Sequence, residues 1–470
     1  MRERGLEPEF SLAVQQELKS LTGPASGQGE DIGDLTGLLW SSIDNDDSRD
    51  LDQLSCCEVL PGGAVKILVA VADVDALVHK GSAVDRHAHR NTTSVYTGAR
   101  IFPMLPERLS TDLTSLNQDE DRLALVTAMV FNPDASLAGS TVMRARVRNQ
   151  AQLAYDAIAA WLDGTGELPA PAAAVAGMQA QLRTQDAVAQ QLRARRREQG
   201  ALEFETFQPR AVFDGEQVVD IVEQPHNRAR QLIEELMIAT NGCNAHFLTK
   251  AGGMGLRRVV RSPQRWQRIV DVARDKGVDL PAQPDARALE GFLARERRRD
   301  PLRFPDLSLV IVKLMGRGEY VVERPDGPPI GHFGLAVQDY THSTAPNRRY
   351  PDLITSRLIK ATLAHRPPPY SPSELGLLAQ HCTQQEEAAQ KVERRVRKSE
   401  AALVLETRIG QSFDGIVTGA DPQSTWVRTF EPPVEGKLIG NPPHLDLGQR
   451  LRLRLVAADV EHGFIDFVLS

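Results

Sequence analysis

I-D-N-D-D-S-R-D-L-D-Q, residues 43–53, is the stretch from which the rest of this sequence is best interpreted. Its nine central positions hold five carboxylates: Asp44, Asp46, Asp47, Asp50 and Asp52. Carboxylates this close repel one another unless a cation or strong hydrogen-bond donors compensate. Oxygen ligands without interleaved Cys or His favour Mg²⁺ or Mn²⁺ over Zn²⁺, and Mg²⁺ completes its shell with water and substrate phosphates. The stretch therefore predicts a metal site that works on a phosphate-bearing substrate such as a nucleic acid.

Two other interpretations of this stretch stay open. An Asp- and Asn-rich run also suits a solvated turn. A calcium loop fits poorly, because Arg49 stands where the sharp-turn Gly belongs and Ser55 stands where a bidentate Glu is needed. The flanks favour a site, since an apolar stretch (35–43) precedes the cluster and a strand-like stretch (65–74) follows it.

Length and composition indicate a cytoplasmic protein of two or three domains. The chain has 470 residues, and its apolar runs fall short of the ~20 residues that span a bilayer. Residues 1–10 carry both charge signs and no apolar core of a signal peptide. The short apolar runs lead us to expect no membrane association. The four cysteines lack C-x-x-C spacing, so we expect reduced thiols in a cytoplasm.

The net charge of −7 does not favour general attraction to a polyanion. If the chain binds nucleic acid, positive potential must be concentrated in a groove, for which the basic runs 193–197, 297–299 and 394–398 are candidates. Each run could equally be a solvated helix face.

The order of patterns predicts an α+β domain followed by a small β-barrel. Residues 1–30 form a short helical segment and a linker, and strand-rich sequence then gives way to helices near residue 153. Helices are predicted at 227–250 and 374–409. Five short strands after Gly410 predict an OB-fold. The predicted domains are therefore 1–30, 31–409 and 410–470.

With these segments placed, residues 31–364 resemble the catalytic RNB domain of the ribonuclease II family, and the chain from about residue 411 resembles its C-terminal OB-fold RNA-binding domain. The motifs that carry this resemblance are I-D-N-D-D-S-R-D-L-D-Q at 43–53, V-A-D-V at 71–74, T-S-V-Y at 93–96, F-P-M-L-P-E-R-L-S at 102–110, S-L-N at 115–117 and A-P-N-R-R-Y-P-D-L at 345–353.

The resemblance implies a magnesium-dependent, hydrolytic 3′-to-5′ exoribonuclease. Such an enzyme degrades single-stranded RNA to 5′-mononucleotides, and two Mg²⁺ ions, or Mn²⁺, would assist hydrolysis. A duplex with a 3′ overhang is a further candidate substrate. We expect a monomer without a protein partner.

By position in the motifs, Asp44, Asp50 and Asp52 are the metal- and water-handling residues. Gln53 departs from the family pattern, which has a fourth Asp there, although an amide oxygen can still bind Mg²⁺. Arg348 matches the arginine that contacts the scissile phosphate, and a structural salt bridge is its alternative role.

Three aromatic residues and one acidic residue complete the predicted RNA path. Tyr96 and Phe204 match the pair that clamps the terminal bases, and Tyr155 matches a third aromatic residue along the RNA. Core packing is the alternative for each of these rings. Glu400 matches an acidic residue near the catalytic end, and it shares an inward helical row with Val392, Val396 and Leu403 unless it lies at the edge of that row.

A second hypothesis follows from Gln53. A chain that keeps the RNA channel but binds metal weakly would be an RNA-binding regulator with little turnover, and a calcium-stabilised structural module is a third, weaker hypothesis.

Overall fold

The fold is known from a computed structural model that describes residues 1–27, 32–205, 209–214, 217–223, 227–301, 303–324, 331–421, 424–440, 445 and 448–470. The predicted boundary between residues 30 and 31 lies outside the described residues. The strands are β1 Gly33–Asp34, β2 Ser41–Asp44, β3 Gln53–Val59, β4 Val65–Ala72, β5 Val95–Tyr96, β6 Ile101–Phe102, β7 Asp121–Phe131, β8 Leu137–Arg148, β9 Ala151–Ala154, β10 Pro209–Asp214, β11 Gln217–Glu223, β12 Gly255–Val259, β13 Glu319–Glu323, β14 Ser412–Asp421, β15 Ser424–Thr429, β16 Glu435–Leu438, β17 Arg450–Asp459 and β18 Phe464–Leu469. The helices are α1 Leu12–Ser20, α2 Ala83–Asn91, α3 Tyr155–Leu162, α4 Ala170–Ala173, α5 Met178–Glu198, α6 Arg228–Lys250, α7 Trp266–Asp275, α8 Ala286–Arg299, α9 Phe304–Met315, α10 Tyr350–Leu363 and α11 Pro372–Glu406.

A seven-stranded mixed sheet forms the centre of the larger domain, with the strand order β1-β8-β7-β4-β3-β2-β9. The pairs β1–β8 and β2–β9 are parallel, and the other neighbours are antiparallel. The hairpin between β3 and β4 turns at residues 61–63, as the P-G-G sequence predicts.

The central strand β4 is buried on both faces, which explains its continuous apolar sequence. Leu68 and Ala70 pack into a cluster with α2 and α10, whereas Ile67 and Val69 pack into a second cluster with α3, α5 and α6. This alternation is the two-residue period of a strand. The sheet is therefore covered by helices on both sides, and its loops are left to carry the chemistry.

The two long predicted helices are present. Asn227 caps α6 by accepting a hydrogen bond from the backbone of Arg230, and Ser371 caps α11 in the same way. On α11, Val392 and Glu400 are buried as the helical row predicts. Leu403 is 41% exposed, so its predicted inward position is wrong. Eleven residues make almost three full turns of a helix, so Leu403 does lie on the same side of α11 as Val392. The apolar cluster on that side contains Val392 and Val396 but not Leu403, which is why this side chain is exposed.

The C-terminal strands close into a five-stranded barrel in the order β14-β15-β16-β18-β17. The pair β16–β18 is parallel, and the remaining pairs are antiparallel. This is the strand order of an OB-fold, so the predicted fold class, an α+β domain with an OB barrel, is confirmed. In the described part of the chain, no helix combines the length and apolar character needed to cross a membrane.

Candidate active site

The carboxylate stretch forms the loop between β2 and β3, and hydrogen bonds from Ser115 and Leu116 attach this loop to the rest of the domain. The Ser115 hydroxyl accepts a hydrogen bond from the backbone N–H of Leu51 and donates one to the carbonyl of Arg49, both at 3.0 Å. The Leu51 carbonyl accepts the N–H of Leu116 at 2.9 Å, and the Leu51 side chain is buried. The S-L-N motif thus fastens the second half of the loop at Arg49 and Leu51, whereas Asp46 and Asp47 form an exposed turn.

A second loop, residues 344–349, is organised by a carboxylate at the start of α10. Oδ1 of the fully buried Asp352 accepts the backbone N–H groups of Thr344 and Ala345, at 2.8 and 2.9 Å, and a guanidinium N–H of Arg349 at 2.8 Å. Three donors on one oxygen fix the path of the chain on both sides of Arg348.

The two loops meet at Asp52. Its Oδ1 accepts the backbone N–H of Asn347 at 2.9 Å, and its Oδ2 lies 3.2 Å from Nε of Arg348. Asp52 is only 2% exposed, and this burial raises the pKa of its carboxyl to about 7 even though Arg348 acts in the opposite direction. Arg348 keeps 40% of its side chain exposed, so its guanidinium can still be reached from outside the loop.

Further negative groups surround the same arginine. Burial raises the pKa of Asp50, Arg348 opposes that rise, and Asp44 adds to it by charge repulsion. For Arg348 itself, burial favours the neutral form, but Tyr96 and the three aspartates outweigh burial and raise its pKa. The guanidinium of Arg348 therefore compensates the negative charge of this carboxylate cluster, as a strong hydrogen-bond donor can.

Tyr96 reaches this cluster because its segment pairs with the arginine loop. The N–H of Ser94 donates to the carbonyl of Arg348, and the N–H of Tyr350 donates to the carbonyl of Thr92, at 2.9 and 2.8 Å. The Tyr96 hydroxyl then donates to Asp50 Oδ2 at 3.3 Å, while the Tyr96 side chain remains 40% exposed. A ring in this position can offer a face to a base that lies beside the carboxylates.

Tyr155 lies on the other flank of the cluster. Strand β9 runs parallel to β2 with Ala154 opposite Asp44, so the next residue, Tyr155, emerges beside that aspartate. The guanidinium of Arg230 lies 4.5 Å from the centre of the Tyr155 ring and donates to the side chain of Asn45 at 2.8 Å. Burial and the charge of Asp44 raise the pKa of the Tyr155 hydroxyl.

Gln53 is turned toward the arginine loop. Its side-chain NH₂ donates to the carbonyl of Thr344, so one end of the amide joins β3 to the loop that carries Arg348. An aspartate could not donate this hydrogen bond. The amide oxygen is not involved in that contact, and its predicted role as a metal ligand stays a prediction.

Phe204 and Glu400 pack away from the carboxylates. Phe204 is partly buried against the apolar cluster formed by α7, α8 and α9, which includes Trp266 and Phe292. Glu400 is 8% exposed and lies against the backbone of Gly98, on the hairpin that carries Tyr96. Burial raises the pKa of Glu400, and backbone hydrogen bonds from Ala99 and Gly98 oppose the rise. The predicted RNA contacts of Phe204 and Glu400 stay predictions.

The carboxylates fit Mg²⁺ or Mn²⁺ by ligand type, but they do not form a closed cage. Within the described ranges, no three His, Cys, Asp or Glu side chains come together closely enough to hold a metal ion. Both oxygens of Asp52 accept hydrogen bonds from the arginine loop, and Asp44 Oδ1 accepts one from Ser48 at 3.0 Å. Mg²⁺ is commonly bound by one or two carboxylates plus waters and substrate phosphates, which is the type of site that this geometry allows.

Three residues that position the site were missed from the sequence: Asp352, Arg230 and Glu393. Asp352 lies within the motif at 345–353, where it was assigned no role, and its place after Pro351 in the first turn of α10 was a further signal. Arg230 lies in the first turn of α6. Glu393 accepts the backbone N–H of Tyr96 at 2.9 Å, and a polar helix gives no signal for such a contact.

Comparisons with known proteins agree with this geometry. The model of the RNB domain matches residues 32–365, and the model of the RNase II-type exonuclease C-terminal S1 domain matches residues 411–470. Ribonuclease R of Vibrio cholerae is 29% identical over all of this chain and 61% of its own length. Ribonuclease R of Escherichia coli is 30% identical over 93% of this chain and 57% of its own length. The chain thus spans about three fifths of these relatives.

Among solved structures, Mycoplasma genitalium RNase R in complex with ribose methylated single-stranded RNA superimposes with a TM-score of 0.90. The superposition covers all of this chain and 76% of that one, at 22% sequence identity. This similarity shows a shared fold.

Proposed function

The chain belongs to the RNB-domain family, and from that premise we propose that it is a hydrolytic 3′-to-5′ exoribonuclease that degrades single-stranded RNA. Its proposed products are 5′-mononucleotides, and a duplex with a 3′ overhang is a further proposed substrate. A cytoplasmic location, a monomeric state and dependence on Mg²⁺ or Mn²⁺ are parts of the same proposal.

One observation carries the proposal: the contact between Asp52 and Arg348, which joins the carboxylate loop to the arginine loop. A nuclease that cleaves a phosphodiester must neutralise charge on the phosphoryl oxygens and supply a water nucleophile. A guanidinium presents a planar set of donors that cannot be deprotonated, and this suits a phosphate. Because Arg348 is partly exposed beside the carboxylates, it can reach a phosphate that lies over the loop.

Asp44, Asp50 and Asp52 would hold two divalent ions, with the amide oxygen of Gln53 as a further ligand through water or directly. When bound, Mg²⁺ supplies a water of lowered pKa and charge neutralisation at the phosphate. The chain's own part is to orient the carboxylates through Ser115 and to place Arg348 through Asp352.

Tyr96 and Tyr155 are proposed to stack on the last bases of the strand. Stacking on an aromatic side chain is worth about 1–3 kcal/mol per base and does not depend on base identity, as an enzyme that degrades any sequence requires. The two rings flank the carboxylates at Asp50 and Asp44, so a strand held between them has its terminal phosphate over the loop.

The test is degradation of 5′-labelled poly(A) in Mg²⁺ by the wild type, Asp52→Asn and Asp46→Asn. Asparagine keeps an oxygen that can accept the N–H of Asn347, so Asp52→Asn should fold, retain RNA and lose at least about a hundredfold in rate. Asp46 is exposed on the same loop, so its variant controls for charge removal and should remain active. Full activity of Asp52→Asn would remove this cluster from the chemistry.

A regulator that binds RNA with little turnover is the second candidate. It is favoured by the amide at Gln53 and by the open arrangement of the carboxylates in the described residues. Wild-type protein that retards poly(A) without shortening it, in either Mg²⁺ or Mn²⁺, would support this candidate over the enzyme.

A further inference from the structure

Tyr96 is carried by a very small element, the β5–β6 hairpin, which has only two residue pairs. Val95 pairs with Phe102, and Tyr96 pairs with Ile101. A two-stranded hairpin is only marginally stable by itself, so its position depends on what packs beneath it. The proposed grip on the terminal base therefore depends on that packing.

Leu6 provides this packing from the start of the chain. Its side chain is 1% exposed and lies in a small apolar cluster with Val95, Ala389 and Val392. Side chains of neighbouring residues in a strand point to opposite faces. With Val95 held inward on Leu6, Tyr96 is directed outward to Asp50.

The same cluster also supports Glu393 on α11, which is the hydrogen-bond acceptor of the Tyr96 backbone. Val392 belongs to this cluster, and the next residue, Glu393, accepts the backbone N–H of Tyr96 at 2.9 Å. The cluster that contains Leu6 thus includes Val95, which precedes Tyr96, and Val392, which precedes the hydrogen-bond acceptor Glu393.

The segment that contains Leu6 is docked by specific polar contacts. The backbone N–H and carbonyl of Glu7 bond to Oδ1 and Nδ2 of the buried Asn91, both at 2.8 Å, as in a strand pair. The Glu7 carboxylate lies 3.0 Å from Arg90, and Phe10 packs on His87 with ring centres 4.4 Å apart. These contacts hold the chain that directly follows Leu6.

From this packing we propose that Leu6 is a positioning residue for Tyr96, and that residues 1–10 form part of the clamp on the terminal base of the RNA. The inference rests on the proposed exoribonuclease function. Leu6 itself touches no RNA; it determines the face on which Tyr96 is presented.

The experiment compares Leu6→Ala with Leu248→Ala, a substitution of the same type at a side chain that is equally buried in a different cluster. Leu6→Ala should raise the KM for short oligoadenylates by about fivefold or more and leave longer end products, because one stacking contact is weakened. Its kcat on long poly(A) should stay within about twofold of Leu248→Ala. In a Tyr96→Ala background, Leu6→Ala should change the KM no further.

Equal end products from Leu6→Ala and Leu248→Ala, or an undiminished effect of Leu6→Ala in the Tyr96→Ala background, would overturn the inference. If Leu6→Ala does not fold, Leu6→Val carries the same comparison with a smaller deletion. Wild-type protein that does not shorten RNA would instead refute the proposed function, so the two failures give different results.

Discussion

Asp352 contacts none of the groups proposed to react, yet at the scale of single residues it determines where Arg348 lies. Its Oδ1 receives two backbone N–H groups and the guanidinium of Arg349, and its side chain is fully buried. Asp352→Ala would leave these buried donors without their acceptor, which costs roughly 2–4 kcal/mol of unfolding free energy. We expect that loss in urea titrations, together with a fall in RNA cleavage of tenfold or more. Asp275→Ala, at an exposed carboxylate in the last turn of α7, should change neither.

Among the elements, the β5–β6 hairpin that carries Tyr96 packs closely against α11, where Gly98 contacts Glu400. A Cβ atom at Gly98 would lie 2.6 Å from Oε1 of Glu400, closer than such atoms approach. Gly98→Ala must therefore shift either the Glu400 carboxylate or the hairpin. We expect weaker retention of short RNA, by about fivefold as for a lost stacking contact, measured by filter binding with Asp52→Asn as the inactive background. Gly37→Ala, where the added atom meets nothing within 4 Å, is the control. Unchanged retention in Gly98→Ala would mean that the Glu400 carboxylate moves aside and that the hairpin keeps Tyr96 in place.

At the scale of the whole molecule, a buried ion pair joins the barrel to the larger domain. Arg428 on β15 lies 3.0 Å from Asp306 on α9, with side chains 11% and 2% exposed. Arg428→Ala would leave a buried, unpaired carboxylate, at a cost of about 3–5 kcal/mol in unfolding free energy. Removing both partners, in Arg428→Ala with Asp306→Ala, should cost less than removing the arginine alone. Arg452→Ala breaks an exposed barrel pair with Asp414 and should cost at most about 1 kcal/mol. Urea unfolding of the four proteins measures these differences.

Local patterns in the sequence were enough to predict the elements and their approximate order. The apolar run of β4, the Asn227 cap of α6 and the evenly spaced strands of the barrel are local patterns, and each predicts a structure that forms. Such patterns suffice because strand and helix periods of 2 and 3.6 residues depend only on near neighbours in the chain. The motifs likewise indicated Asp44, Asp50, Asp52, Arg348, Tyr96 and Tyr155, which the fold gathers around one loop.

The contacts of these side chains could not be predicted, because they join parts of the chain that are distant in sequence. Asp52 meets a loop 296 residues later in the chain, Gln53 bonds to Thr344, and Glu400 packs on Gly98. No local period encodes such contacts, because the partners approach only after the sheet and helices have packed and excluded water. Burial also raises the pKa of Asp52, and burial is a property of the folded chain as a whole.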